Sequence, residues 1–351
     1  MSDIIFWGVT PPPTTGMTIV NEFYREFLSQ KGGASIVIKR KKWHNNIVWR
    51  INKYLYYFLF IPKLYFYRLK GYKKIYMAPD SSLGFYPFSL SLIFLRPFFK
   101  FIFHHHVRVY IESPTKLNKA FFNHFLSSGD CNIFLSREMQ EAFSSAYTCK
   151  AGSCSLGNIL LFPPVEPGEY LEDSTLKVNI GFISNITKEK GGLDFFEIIE
   201  SLSQISDDFN FHLAGPCNDK EIIELIEQAK KKYGGRFKYY GALYDDAKWG
   251  FYRGVDILLF PSRYKKEAQP LVIYEAMASG CHVVARDIGY IRGQVENLGT
   301  LFNENDEAIE FINDLKSQGI SKNAMLEAYN EIYTNEFVGL ENIYEDLKGS
   351  E

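Results

Sequence analysis

Short apolar runs alternate with amphipathic stretches along the whole chain, the pattern of an α/β protein built on parallel sheets. In the first half, runs at residues 4–9, 35–38, 74–77, 101–106, 132–135 and 160–162 read as strands. Between the first two, Pro11, Pro12 and Pro13 with Gly16 make a loop, and residues 17–30 set Ile19, Val20, Phe23 and Phe27 on one helical face. Three prolines and a glycine within residues 163–168 suit neither regular element and mark a linker. Beyond it the alternation restarts, with strands at 178–183, 209–214, 237–240, 257–260 and 282–285. Helices fall at 193–201, 220–233, 245–253 and 271–279, and the last thirty residues are mostly helical in pattern.

The pattern predicts two doubly wound, Rossmann-like domains facing each other across a cleft. The boundaries are an N-terminal domain at 1–165, a linker at 166–176, a second domain at 177–325, and a helical segment at 326–351 that returns to the first domain. A length of 351 residues suits two cores. A composition of 46% apolar and 23% charged residues excludes a disordered or collagen-like chain.

Five cysteines without a Cys-x-x-Cys pair argue against a disulfide framework and a zinc site, and suit a reducing compartment. The start carries an acid, Asp3, where a signal peptide needs bases. The best candidate for a membrane span, residues 81–95, is broken by Gly84 and Pro87 and falls short of the roughly 18–20 apolar residues required. The expectation is a cytoplasmic protein, soluble or peripherally attached to a membrane. Its net charge of −2 hides an asymmetry. Residues 1–170 hold 20 bases against 10 acids, and the remainder 19 against 31, so the two halves should face different partners.

In the acidic half, Glu267-Ala-Gln269-Pro-Leu271-Val272-Ile-Tyr-Glu275-Ala-Met-Ala-Ser-Gly280 follows the strand at 257–260 and its loop. Pro270 fits the first position of a helix. The N–H groups of Leu271 and Val272 then lie free at a helix start, ready for a diphosphate. Glu275, a turn further on, can accept bonds from ribose hydroxyls, and Glu267 from those of a sugar beyond the phosphates. The plainer alternative is a surface helix whose glutamates merely favour the dipole.

This stretch, with Cys281-His-Val-Val-Ala285 after it, resembles the Glu-x7-Glu signature of family 4 glycosyltransferases. These have the GT-B fold and transfer a sugar from a nucleotide donor with retention. Residues 181–191 resemble the family's Gly-Arg-x-x-x-x-Lys-Gly segment, which implies that Lys190 neutralises the donor diphosphate. Asn185 stands where the family has arginine, and Arg263 or Lys265 are candidates to replace that charge. Gly215, and Gly241 with Ala242, resemble two strand-end turns of the family, the second lying against the base. Gln269 joins the implied donor set. The match covers roughly residues 177–300.

In the basic half, Gly16 opens a loop where such enzymes bring backbone close to donor phosphates, although the family more often has two glycines there. His104, His105 and His106 end a strand, and alternation places His104 and His106 on one face. The resemblance implies a catalytic histidine near the acceptor at this strand end, with His106 the first choice, His104 the second, and packing accounting for at least one of the three. No metal ligand set is found. From Phe27 through Pro79 there is no acid but there are twelve bases, interleaved with aromatics such as Trp43, Trp49, Tyr54 and Tyr65. Residues 39–74 are therefore expected to lie on anionic lipid. No nucleic-acid signature accompanies them.

The expected function is metal-independent, retaining transfer of a hexose or N-acetylhexosamine from a nucleotide-sugar, by family frequency a UDP-sugar. The expected acceptor is a saccharide, lipid-linked, at the inner face of the cell membrane, as in bacterial O-antigen or capsule assembly. Lys190, Glu267 and His106 form the catalytic set, and no cofactor is required. The alternatives are a nucleotide-sugar epimerase of the same fold and a non-catalytic membrane or nucleic-acid adaptor.

Overall fold

A computed structural model describes residues 2–12, 14–39, 46–165, 177–265, 267–295 and 298–349. The linker expected at 166–176 lies outside the described residues, as do residues 40–45 of the basic stretch. The chain divides into two compact units, Met1–Leu161 with Val338–Glu351, and Phe162–Phe337. The long helix Lys322–Gly349 contributes its last turns to the first unit.

The first unit is built on strands β1 (Ile4–Val9), β2 (Ala34–Ile38), β3 (Lys74–Met77), β4 (Lys100–His105), β5 (Cys131–Phe134) and β6 (Gly152–Ser155). They form one sheet in the order β2-β1-β3-β4-β5-β6, every pairing parallel. The second unit repeats the plan with β7 (Val178–Ile183), β8 (Phe209–Ala214), β9 (Phe237–Tyr239), β10 (Ile257–Phe260), β11 (His282–Arg286) and β12 (Gly299–Phe302). Their order is β12-β11-β10-β7-β8-β9, again all parallel. This is the predicted doubly wound architecture. It explains why a central strand such as Ile257–Phe260 reads as an unbroken apolar run. A parallel strand covered by helices on both faces has no polar side, and Ile257–Phe260 is buried at every position.

Two expectations about strands need correction. The run at 160–162 is part of a 3-10 turn, Asn158–Leu161, and the sixth strand of the first sheet is Gly-Ser-Cys-Ser at Gly152–Ser155. That strand sits at the sheet edge and is exposed or half-buried, so it needs no apolar side chains and leaves no hydrophobic trace. β12 is also an edge strand and was not anticipated. The helices follow their faces closely. Lys220–Tyr233 buries Ile222, Ile226, Ala229 and Tyr233, and it starts at Asp219, whose carboxylate accepts from the amides of Glu221 (3.0 Å) and Ile222 (3.3 Å).

Two glycines shape the carboxyl edge of the second sheet. Gly191 has φ +84°, and a Cβ there would run into the carbonyl of Pro261. Gly215, after β8, has φ +122°, its N–H donates to the Gly241 carbonyl at 2.6 Å, and a Cβ would overlap the Ser184 carbonyl oxygen. Gly215→Ala should therefore lower stability by roughly 2 kcal/mol or more. Equilibrium urea unfolding checks this, and an unchanged midpoint would contradict the close approach.

Candidate functional site

In each sheet, strand order reverses at one place, and loops from adjacent strands leave it in opposite directions, opening a crevice at the carboxyl edge. In the second unit that place is between β7 and β10. The loop after β7 carries Asn185 and Lys190, and the loop after β10 carries Glu267 and leads into the helix Leu271–Ala278. The two loops are fastened together, since the Arg263 amide donates to the Glu189 carbonyl at 2.8 Å.

The sequence-predicted pair Lys190 and Glu267, 77 residues apart, meets here, with the Lys190 ammonium ion-paired to Glu267 Oε1. The same ammonium sits 4.5 Å from the centre of the Tyr264 ring. Glu267 is buried and Lys190 half-buried. Asn185 is exposed in the turn after β7.

At the helix start, Pro270 is the N-cap rather than the first helical residue, with ψ 123°. Its ring lacks an N–H and fixes φ, which suits either position, but the extended ψ puts it outside the helix. The first bond of the turn runs from the Ile273 amide to the Pro270 carbonyl at 3.2 Å, so the amides of Leu271 and Val272 precede the intrahelical ladder. The Pro270 carbonyl also accepts from Gln294 Nε2 at 2.9 Å, which steadies the cap. Gln269, just before it, is buried.

Glu275 is buried one turn further along, its side chain only 8% exposed. Its carboxylate accepts from Lys248 Nζ at 2.6 Å and from the Tyr252 hydroxyl at 2.7 Å. Both partners lie on the helix Asp245–Arg253, four residues apart and hence on one face. They were not picked out from the sequence, although that spacing was the available signal. Beside Glu275, burial and the carboxylate's charge push the Tyr252 hydroxyl well above its usual range. It is therefore a permanent donor.

Arg263, considered above as a replacement for the missing arginine, is committed elsewhere. It forks onto Asp194 (Nε 3.0 Å, Nη2 2.6 Å), which also accepts from Arg286 Nη2 at 2.9 Å. Burial pushes the Asp194 carboxyl up, but its bonds and charges from Arg263 and Arg286 prevail and hold it below the usual carboxylate range. Lys265 is exposed. Gly241, at φ +68°, and exposed Ala242 follow β9, the strand next to β8.

In the first unit the order reverses between β1 and β3. Gly16, after β1, is the exposed first residue of the helix Gly16–Gln30, whose cap is a reciprocal pair of Thr15 and Thr18. β4 ends at His105, so His106 lies just past the strand. His104 and His106 share a face as alternation requires, their rings 4.2 Å apart, and His104 Nδ1 meets the Tyr76 hydroxyl at 2.5 Å. His105 points the other way and is fully engaged, with Nδ1 2.9 Å from the Tyr110 hydroxyl and Nε2 2.9 Å from Asn132 Oδ1. His105 is therefore a packed structural residue. Both ring nitrogens of His106 are buried without a hydrogen-bond partner among the described residues. Burial lowers all three imidazoles, His104 well below its usual value, His105 to about 4 and His106 to about 3. They are neutral at pH 7. Among the described residues no group of three His, Cys, Asp or Glu side chains is placed to hold a metal, and no helix is long and apolar enough to cross a membrane.

Residues 177–317 match the family model described as glycosyl transferases group 1. Several solved structures match nearly end to end, three of them as follows. Anabaena HepE in complex with UDP is 17% identical with a TM-score of 0.65, covering 99% of each chain. Sucrose-phosphate synthase from Thermosynechococcus elongatus is 15% identical with a TM-score of 0.68, covering 98% of each. A UDP-forming α,α-trehalose-phosphate synthase from Burkholderia xenovorans is 13% identical with a TM-score of 0.66, covering 100% of this chain and 99% of that one. The fold is GT-B. No curated protein matches the sequence. The family match begins at the strand before Lys190 and ends beyond Glu275, so it contains the whole β7–β10 crevice.

The histidine shifts set a pH dependence. Each folded value lies below the 6.5 of a free imidazole, so the unfolded chain binds more protons and stability falls as pH drops from 6.5 towards 4 for His105 and 3 for His106. Depressed carboxyls such as Glu200, at about 2, act only below their unfolded value of 4.5. Thermal melts should thus show a falling midpoint between pH 6.5 and 4.5, with a shallower slope in His106→Phe; equal slopes would show that His106 titrates freely.

Proposed function

We propose that the chain is a retaining, metal-independent glycosyltransferase that uses a UDP-sugar. Its second unit binds the donor, and its first unit takes a saccharide acceptor, lipid-linked, at the cytoplasmic face of a membrane, as in surface-polysaccharide assembly. One observation carries the donor part: a lysine, two amides free of the helix ladder and a positioned carboxylate converge at the switch point of a matched glycosyltransferase domain. The choice of UDP is supported by the similarity to HepE, which was solved with UDP and with UDP-glucose.

In this reading, Lys190 exchanges Glu267 for the diphosphate, and the Leu271 and Val272 amides hold the other phosphate oxygens. Stabilising the departing diphosphate in this way is the main contribution to rate. Glu267, released, accepts bonds from the sugar hydroxyls. Glu275 accepts from the ribose, its carboxylate already aimed by Lys248 and Tyr252. The acceptor hydroxyl attacks the face from which the diphosphate leaves and passes its proton to a phosphate oxygen. His106, uncharged and with unused nitrogens, accepts a hydrogen bond from a sugar hydroxyl in the first unit.

UDP should raise the melting temperature of the wild-type chain. Lys190→Ala and Glu275→Ala should each weaken that binding by roughly tenfold or more, the worth of a charge-assisted hydrogen bond. Titration calorimetry with UDP, alongside circular dichroism to confirm folding, checks both. Unchanged affinity in the two folded variants would remove the donor assignment.

A further inference from the structure

The amino edge of the first sheet, opposite Gly16 and His106, holds a cavity of about 550 Å³ that none of the donor or acceptor chemistry uses. It is formed where the chain enters β1, β3 and β4. Lys74 and Lys100 are the first residues of adjacent strands and stand opposite each other in register, with Lys73 just before them. Six bases line the cavity against one acid, Asp3. Some of this charge is already answered. Lys74 Nζ lies 3.5 Å from Asp3 and donates to the Leu347 carbonyl at 2.5 Å, Arg96 is held by Asp130 at 2.7 Å, and Lys348 lies 3.2 Å from Glu345. The ammonium groups of Lys73 and Lys100 have no ion pair or hydrogen bond among the described residues, and Arg68 spends only its Nε, on the Phe98 carbonyl at 2.8 Å. A ligand-sized hollow with unanswered cations on its wall suits a phosphate-bearing anion.

What lies beside the cavity decides the source of that phosphate. Phe98, on its wall, is half exposed. The helix Ile61–Leu69 is fastened to the end of Phe85–Leu95 by the Tyr65 hydroxyl, which donates to the Phe94 carbonyl at 2.7 Å, and it leaves Leu69 88% exposed. Phe85–Leu95 turns Leu90, Ile93 and Phe94 outward. The helix Asn46–Leu59, packed on it through Tyr57 and Phe88, exposes Ile47, Ile51, Leu55 and Leu59 at four-residue spacing. Twelve of the seventeen exposed large apolar residues of the described chain lie between residues 47 and 98. Concentrated exposure of this kind marks an interaction surface. Between Glu26 and Glu112 the one acid is Asp80, already held by Lys53 at 2.5 Å and Tyr57 at 3.1 Å.

We infer that this face seats on an anionic phospholipid bilayer, a headgroup phosphate entering the Lys73–Lys100 cavity while the outward leucines, isoleucines and phenylalanines enter the lipid interface. The inference deepens the membrane part of the proposed function and rests on it. It adds a headgroup site at the edge away from the chemistry, where the end of the basic stretch 39–74 meets Arg96, Lys100 and Lys348.

Flotation of the full chain with vesicles tests it. Wild type should bind equimolar phosphatidylglycerol–phosphatidylcholine vesicles and not pure phosphatidylcholine. K73Q/K100Q, with an unchanged circular dichroism melt, should partition about thirtyfold more weakly, the effect of two charges at an anionic surface. Leu69→Ser/Ile93→Ser should also bind less. A K73Q/K100Q variant that floats like wild type overturns the headgroup site alone, and a wild type that ignores anionic vesicles overturns the membrane reading with it. Stabilisation by inorganic phosphate without vesicle binding would make the cavity a soluble-anion site, and a concentration-dependent dimer on sedimentation would assign the apolar face to a second copy. Either result overturns the lipid proposal.

Discussion

Parallel pairing governs where this protein can do chemistry. With all strands of a sheet running the same way, every strand ends at one edge, and each connecting helix must cross a face to begin the next strand. Helix starts and strand-end loops therefore collect along that edge. Only where the order reverses do neighbouring loops diverge and leave backbone amides uncovered. Lys190 and Glu267 are adjacent because β7 and β10 are, not because of anything local to either residue.

The loops at that reversal are held rather than loose. Asp194, near the start of the helix after β7, is shared by Arg263 from the β10 loop and Arg286 from the end of β11. Two guanidiniums around one carboxylate leave the acid ionised and couple three connections of the sheet. Gly191 lets the β7 loop press against Pro261. A site whose side chains are braced in this way loses little freedom on binding, which is how rigid surroundings favour affinity.

Much of this was legible in the residues. Strands with a buried face announce themselves as apolar or alternating runs, and Ile4–Val9, Lys74–Met77, Val178–Ile183 and Phe209–Ala214 fall where the pattern puts them. Edge strands do not. Gly152–Ser155 is stabilised by one partner's hydrogen bonds and by little burial, so side-chain chemistry carries no record of it. The charged residues of the β7–β10 crevice were readable through the resemblance of their segments to a glycosyltransferase signature, but their partners were not. The spacing of Lys248 and Tyr252 puts them on one helical face, but only tertiary packing brings that face to Glu275. The histidine run shows the same division. Alternation separates His105 from its neighbours, whereas only the packed surroundings reveal that His105 is saturated and His106 is not.

The path of the final helix has a consequence for biosynthesis. The first unit is completed by residues 338–351, which follow the whole of the second unit in chain order. Phe27 packs edge-on against Tyr344 at 5.6 Å, Lys31 pairs with Glu341 at 2.6 Å, and Lys74 caps the Leu347 carbonyl. A chain emerging from the ribosome cannot form those contacts until the second unit has been synthesised. The amino-terminal sheet must therefore wait, partly uncovered, through the synthesis of everything in between, and the nascent second unit can finish first despite being encoded later.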